Sequence, residues 1–193
     1  MRTARAFQAI VLAGMVAISP IASSALQSPS LSSSNQKLLS AFSKKAKDYI
    51  DQEHMLTQDK MKPTTDVAKL QEQRKQLREA VQQSRANARQ GELFTAESAD
   101  VFRKILVNVL NGPDGRKIKM SLNHAEPGAS TEFKVNSEFP NQNGQPIQSV
   151  PPTVLKALPS LPKGLEYCIA GKTLALRDSA ANMVVDYLPN ALP

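Results

Sequence analysis

A chain of 193 residues is long enough for one domain with extensions, since a domain usually runs to about 100–200 residues. Apolar residues at 41% allow an ordinary core, but Trp is absent and aromatics are only 5%, so Leu, Val, Ile and Met must supply most of it. The formal charge is +7, yet Arg2 and Arg5 stand at the extreme N-terminus and the other basic residues are interleaved with acids, as in QEQRKQLRE. That pattern makes a mixed solvated surface and argues against a phosphate-binding stripe, so a nucleic-acid partner is not expected.

MRTARAF carries two arginines and no acid, and an apolar run follows from Ala9 to Ile18. Pro20 and the small residues Ala22-Ser23-Ser24-Ala25 come next. The expected reading is a secretory signal peptide over residues 1–25, cleaved after Ala25. The alternative is an uncleaved anchor, but a span wants a run of about 18 or more apolar residues and this one is shorter. No Cys follows the cleavage site, so lipid attachment is not indicated. Basic, apolar and small residues in this order point to a bacterial exported protein in the periplasm, touching the membrane only through its signal peptide. Leu26–Asn35 (LQSPSLSSSN) is Ser-rich and aperiodic, and is expected to be a disordered tether over residues 26–35. Residues 36–193 then form the expected single α+β domain, helical over 36–122 and sheet-forming over 131–188.

The first helix is predicted from Gln36 to about Gln58, with Leu38, Leu39, Phe42, Ala46, Tyr49, Ile50 and Leu56 at three- and four-residue spacing. Lys62-Pro63 breaks that pattern, because a residue before proline is pushed out of the α region. Thr65 or Asp66 can cap a second helix, predicted to reach Gln90 and stop at Gly91. Its stripe is narrow: Val67, Leu70, Leu77 and Val81, then only Ala86 and Ala88. That fits a surface helix better than a coiled-coil face, which needs sustained heptads. Thr95 opens a third helix with Glu97 and Asp100 in its first turns, where the dipole favours acids. Ala99, Phe102, Ile105, Leu106, Val109 and Leu110 make it the most apolar of the three. Asn111-Gly112-Pro113-Asp114-Gly115 ends it.

Arg116–Leu122 reads either as a strand or as a helical turn begun near Pro113, and the short helix is preferred. Asn123–Ser130 is expected to be loop. Thr131–Phe139 (TEFKVNSEF) is expected to be a strand with Phe133 and Val135 on one face. Between Pro140 and Pro162 the prolines are too dense for a sheet interior, so an extended connector is expected. It should hold one short helix, with Pro152 near its first turn and Val154, Leu155 and Leu158 turned inward.

Leu165–Leu188 carries the strongest pattern. Leu165, Tyr167 and Ile169 alternate with Glu166, Cys168 and Ala170; Gly171-Lys172 make a turn; Leu174 and Leu176 alternate with Thr173, Ala175 and Arg177. Asp178–Asn182 is a second turn, and Met183–Leu188 a third strand. This is a half-buried antiparallel meander. The fold class is therefore α+β, with N-terminal helices packed on a small C-terminal β-meander.

Candidate chemistry is sparse. Cys168 is the only cysteine, so no internal disulfide exists, and it is either an inert buried thiol or an intermolecular bridge. Its possible bases are His54 and His124, and neither sits in a recognisable motif. Two distant histidines give no zinc-like spacing. Asp48, Asp51 and Glu53 lie among Lys44, Lys45 and Lys47 and read as a solvated face. Asp178 and Asn182 read as turn formers, Arg177 as an ion-pair partner of Asp178 or Asp186, and Asp186 as a residue needing a partner if it faces inward. No catalytic, cofactor-binding or metal-binding residue is assigned, and no cofactor is expected.

At LPSLPKGLEYCIAGKTLALRDSAANMVVDYLPNALP (Leu158–Pro193) the chain resembles a group of uncharacterised exported bacterial proteins. They share leucine-prolines, a Leu-Glu-Tyr strand, a Gly turn, an apolar strand with Arg-Asp, and Asn-x-Val/Ile-Val-Asp. A basic residue is expected after Tyr167 from that resemblance, and Cys168 stands there. Gly164-Leu165-Glu166-Tyr167 and its Pro-rich lead-in are also similar to the ends of periplasmic nickel/cobalt homeostasis accessory proteins. The resemblances imply export and no particular activity. The expected role is a non-enzymatic interaction or binding module for an envelope protein or ligand, acting as a monomer or weak dimer. A small envelope enzyme and a metal-homeostasis accessory protein are the alternatives.

Overall fold

Ser32 starts the first helix by accepting the Asn35 N–H on its hydroxyl at 3.2 Å, which satisfies one of the donors a helix start leaves free. In the computed structural model, residues 32–57, 62–124, 132–140 and 150–193 are described, without the side chains of Asn123 and His124. The signal peptide, Leu26–Leu31 of the tether, Gln58, most of the 123–130 loop, Thr131 and positions 141–149 of the connector lie outside them. Residues Leu31–Pro193 cluster as one unit.

Helix α1 spans Ser33–Thr57. Ser33–Asn35, expected to belong to the tether, instead form its first turn beneath the Ser32 cap. Helix α2 spans Val67–Ser84, and Asp66 caps it by accepting from the N–H groups of Ala68 and Lys69. It stops six residues short of the predicted end. Arg85 leaves helical geometry there, and the following loop turns through Gly91 at φ 86°. Val67, counted among the apolar stripe, is 70% exposed. Helix α3 spans Ala96–Asn111 with Thr95 as its cap. Helix α4, Gly115–His124, follows so closely that a Cβ on Gly115 would lie 2.0 Å from the Leu110 carbonyl oxygen. Arg116–Leu122 is thus helical, as preferred. Helix α5 is Pro152–Ala157, with proline in its first turn. Val154 and Leu158 point inward, but Leu155 is 44% exposed, against expectation.

The sheet is the predicted meander, β1 (Leu165–Ala170), β2 (Thr173–Asp178) and β3 (Met183–Leu188), antiparallel in the order β1-β2-β3. Gly171 takes φ 56° at the first position of the two-residue β1–β2 turn, the place where such a turn favours glycine. The β2–β3 register shifts between Leu176 and Arg177, pairing Arg177 with Val184 but Leu176 with Asp186. Val185 is left without an opposite number. The bulge puts Asp186 on the same face as Leu176 and Leu188.

That face meets the helices. Phe42 of α1, Phe94, Phe102 of α3 and Tyr167 of β1 form one aromatic group, with Phe42–Phe102 centroids 4.8 Å apart and Phe94–Phe102 5.0 Å. Phe42 and Phe102 each lie about as close to Tyr167, at 6.5 and 6.4 Å. Leu77, Leu106, Ile169, Leu174, Leu176 and Met183 fill the space around them. Phe102→Ala and Ile169→Ala are each expected to cost ~2–5 kcal/mol. Thermal unfolding checks this, and unchanged melting temperatures in both would refute a core shared by helix and sheet.

The other face is also covered, where a half-buried meander was expected. Phe133 and Phe139 pack on Cys168, Ala175 and Val184. The segment that carries them is not the predicted fourth strand. Asn136 takes φ 61°, and among the described residues the one bridge to the sheet joins Glu138 and Met183. Its backbone still lies along β3: Asn136 N–H donates to Val184 O at 2.9 Å, and Val184 N–H to Ser137 O at 3.0 Å. Asn136 turns the chain because both ends of its amide are engaged, Nδ2 donating to Arg85 O and Oδ1 accepting from Arg85 Nη1.

Candidate functional site

β1 is an outer strand, and four successive residues of it, Leu165 to Cys168, border a recess of about 500 Å³. Because successive strand residues face opposite sides, the recess follows the strand's edge. Val150, Leu155 and Pro159–Leu161 form the opposite wall. Proline explains that wall: Pro151 and Pro152 start α5, and Pro159 and Pro162 keep the chain extended on its return to β1. The Tyr167 hydroxyl ties the two walls by donating to Pro159 O at 3.0 Å. Glu166 and Arg177 complete the lining, with Arg177 Nη1 3.7 Å from Glu166 Oε2. Leu155 is the exposed apolar side chain at its rim.

Cys168 lies on one wall, buried and unbridged. Burial pushes its thiol up to about 11, with Glu166 adding to the rise and Arg177 opposing it. A thiol so shifted is almost wholly protonated at neutral pH and a poor nucleophile. Labelling of the folded protein with a thiol reagent at pH 7.5 is therefore expected to be slow and to become rapid in denaturant. Equal rates in both conditions would show that the thiol is open. Among the described residues no histidine interaction with Cys168 is present. His54 instead sits on α1, 64% exposed, with Nε2 3.7 Å from Glu53 Oε2. The side chain of His124 lies outside the described residues.

The acids sort differently from the expected solvated face. Lys44 pairs with Asp48 and Lys47 with Asp51, one turn apart on the surface. Glu53 is buried, only 5% exposed. Burial raises its pKa to about 7, and the nearby Asp178 charge adds to the rise. Asp178 is fully buried and forms the β2–β3 turn as expected, its Oδ1 accepting from the N–H groups of Ala180 and Ala181. It also accepts a 2.6 Å bond from the Tyr49 hydroxyl on Oδ2, which ties α1 to that turn. Burial, with Asp178 close by, pushes the Tyr49 phenol well above its ordinary range.

Arg177 pairs with neither Asp178 nor Asp186. The turn holds it instead, since Asn182 Oδ1 accepts from its Nε and Nη2 at 3.1 and 2.7 Å, and its guanidinium lies over the Phe139 ring. Asp186 does face inward, and its partners are backbone. Oδ1 accepts from Gly91 N–H, and Oδ2 from Leu93 N–H and Phe94 N–H, at 2.8–2.9 Å. Burial raises its pKa, while these bonds and one from Tyr187 N–H favour the anion.

A second, polar crevice of about 580 Å³ is lined by Gln52, the last residues of α2 from Gln83 and the loop that follows to Glu92. Arg85, the charged side chain buried there, is already committed. It donates to Glu92 Oε2, Asn136 Oδ1 and Val185 O, and its guanidinium covers the Tyr49 ring at 4.9 Å. Among the described residues no group of three or more His, Cys, Asp or Glu side chains is placed to hold a metal ion. The recess beside β1 thus differs from every other polar or charged cluster described above in having apolar walls that face open space. Its lining residues were legible only as a Pro-rich connector and an alternating strand, and nothing in their spacing announced that they meet. No family model, curated protein or solved structure matches this chain.

Proposed function

We propose that the protein is an exported, periplasmic, non-enzymatic binding module whose contact site is the recess beside β1. The observation that carries the binding reading is that recess: about 500 Å³, walled by Val150, Leu155, Pro159, Leu161, Leu165 and Tyr167. Concave, mostly apolar sites of this size with a few placed polar groups are where small ligands and partner anchors lodge. Three of the buried charged groups, Asp178, Asp186 and Arg85, are spent within the fold, each closing hydrogen bonds between distant segments. Export is supported by the order of charge, apolar run and small residues in Met1–Ala25.

The test is cell fractionation of the full chain expressed in a Gram-negative bacterium, followed by native and denaturing intact mass with and without reductant. The expected product is a periplasmic species beginning at Leu26, monomeric or in weak equilibrium with a dimer that reductant leaves unchanged. A full-length chain kept in the cytoplasm would refute export. A reductant-sensitive dimer would replace the buried thiol with an intermolecular bridge.

A further inference from the structure

We infer that the recess beside β1 takes the uncharged apolar part of a small molecule, an alkyl chain or ring system without net charge. The inference rests on the binding-module reading and specifies its ligand. Two features decide the class. The first is the wall: Val150, Leu155, Pro159, Leu161, Leu165 and Tyr167 offer hydrocarbon surface, and the volume falls in the small-molecule range of about 300–1,000 Å³.

The second is that the polar groups at the recess are matched already. Glu166 and Arg177 face each other at 3.7 Å and cancel in charge. Arg177 spends two further donors on Asn182 Oδ1. The Tyr167 hydroxyl gives its proton to Pro159 O. An ionised ligand group drawn inside would lose water and meet no free opposite charge, a cost that neutral hydrocarbon escapes. Ser160, exposed at the mouth, can still hydrogen-bond a neutral polar end left outside.

A matched pair of dyes tests this on the periplasmic protein. N-phenyl-1-naphthylamine is neutral, and 8-anilino-1-naphthalenesulfonate adds a sulfonate to the same ring system. The neutral dye is expected to bind saturably, one per chain, and the anion at least about tenfold more weakly. Leu155→Asp puts a charge on the exposed rim without disturbing the core, and Ser160→Trp narrows the mouth. Each should weaken the neutral dye by about tenfold or more with the melting temperature unchanged.

Equal or tighter binding of the anion would overturn the ligand class while leaving the binding module standing. Saturable binding untouched by both variants would place the site elsewhere and overturn the inference. Absence of saturable binding by either dye would overturn it too and leave the recess to a macromolecular partner. Failure of the export reading shows separately, in fractionation rather than in dye binding.

Discussion

Asp186→Ala is expected to be the most damaging single substitution in the chain. The carboxylate accepts three backbone N–H groups from the loop between α2 and α3, those of Gly91, Leu93 and Phe94. Alanine leaves all three without their acceptor. Each buried donor stranded in this way costs about 1–3 kcal/mol. Leu93 and Phe94 are themselves buried and Phe94 stacks on Phe42 at 5.3 Å, so a loosened loop also loosens the aromatic core. A total near 4–6 kcal/mol compares with the ~5–15 kcal/mol that holds a typical domain together. Urea unfolding should show little or no folded baseline for Asp186→Ala. Asp186→Asn keeps one acceptor oxygen and should fall between the two. A midpoint for Asp186→Ala within experimental error of the parent would mean that the loop does not depend on this residue.

Glu53→Gln is expected to stabilise the protein, and only on the alkaline side. Glu53 is 5% exposed, and its ion-pair partner among the described residues is His54, which is charged only when protonated. Burial and then the Asp178 charge raise its folded pKa from 4.5 to about 7. A raised folded pKa means that the native state holds the proton more tightly than the unfolded chain does. The stability contributed by that proton is complete below pH 4.5 and is lost as pH rises through 7. The loss amounts to about 3 kcal/mol between the two limits. Glutamine carries no such dependence. The two proteins should melt within a degree or two of each other near pH 4.5 and diverge toward pH 8.5, with Glu53→Gln the more stable. Parallel melting curves across this range would remove Glu53 as a source of pH dependence.

The sheet and the cores of the helices could be read from the chain because short-range rules govern them. Period-2 alternation, Gly171 and the Asp178–Asn182 turn placed all three strands, and the caps Asp66 and Thr95 placed the starts of α2 and α3. What escaped depends on contacts between residues far apart. Nothing near Ala86 and Ala88 says that α2 must stop at Ser84. The contact at that stop comes from 51 residues away, where Asn136 Nδ2 donates to the Arg85 carbonyl that a continuing helix would use. The TEFKVNSEF segment alternates like a strand, yet Asn136 is turned by Arg85, 51 residues earlier. Glu53 sits among lysines in sequence and against Asp178 in space. Asp186 faces inward through a bulge that alternation cannot announce. The recess was equally hidden, since a proline-rich connector reveals its extension but not the strand it returns to.

Clamping of the α2–α3 loop by Asp186 also sets an order of events during synthesis. The helical part emerges from the ribosome with the inner faces of α1 and α3 bare, because β1–β3, between Leu165 and Leu188, are made after it. The loop acceptor Asp186 is made 93 residues after Leu93, one of the groups it clamps. A chain of this design cannot close its core until its sheet has been made, so the apolar faces of its helices stay uncovered until then.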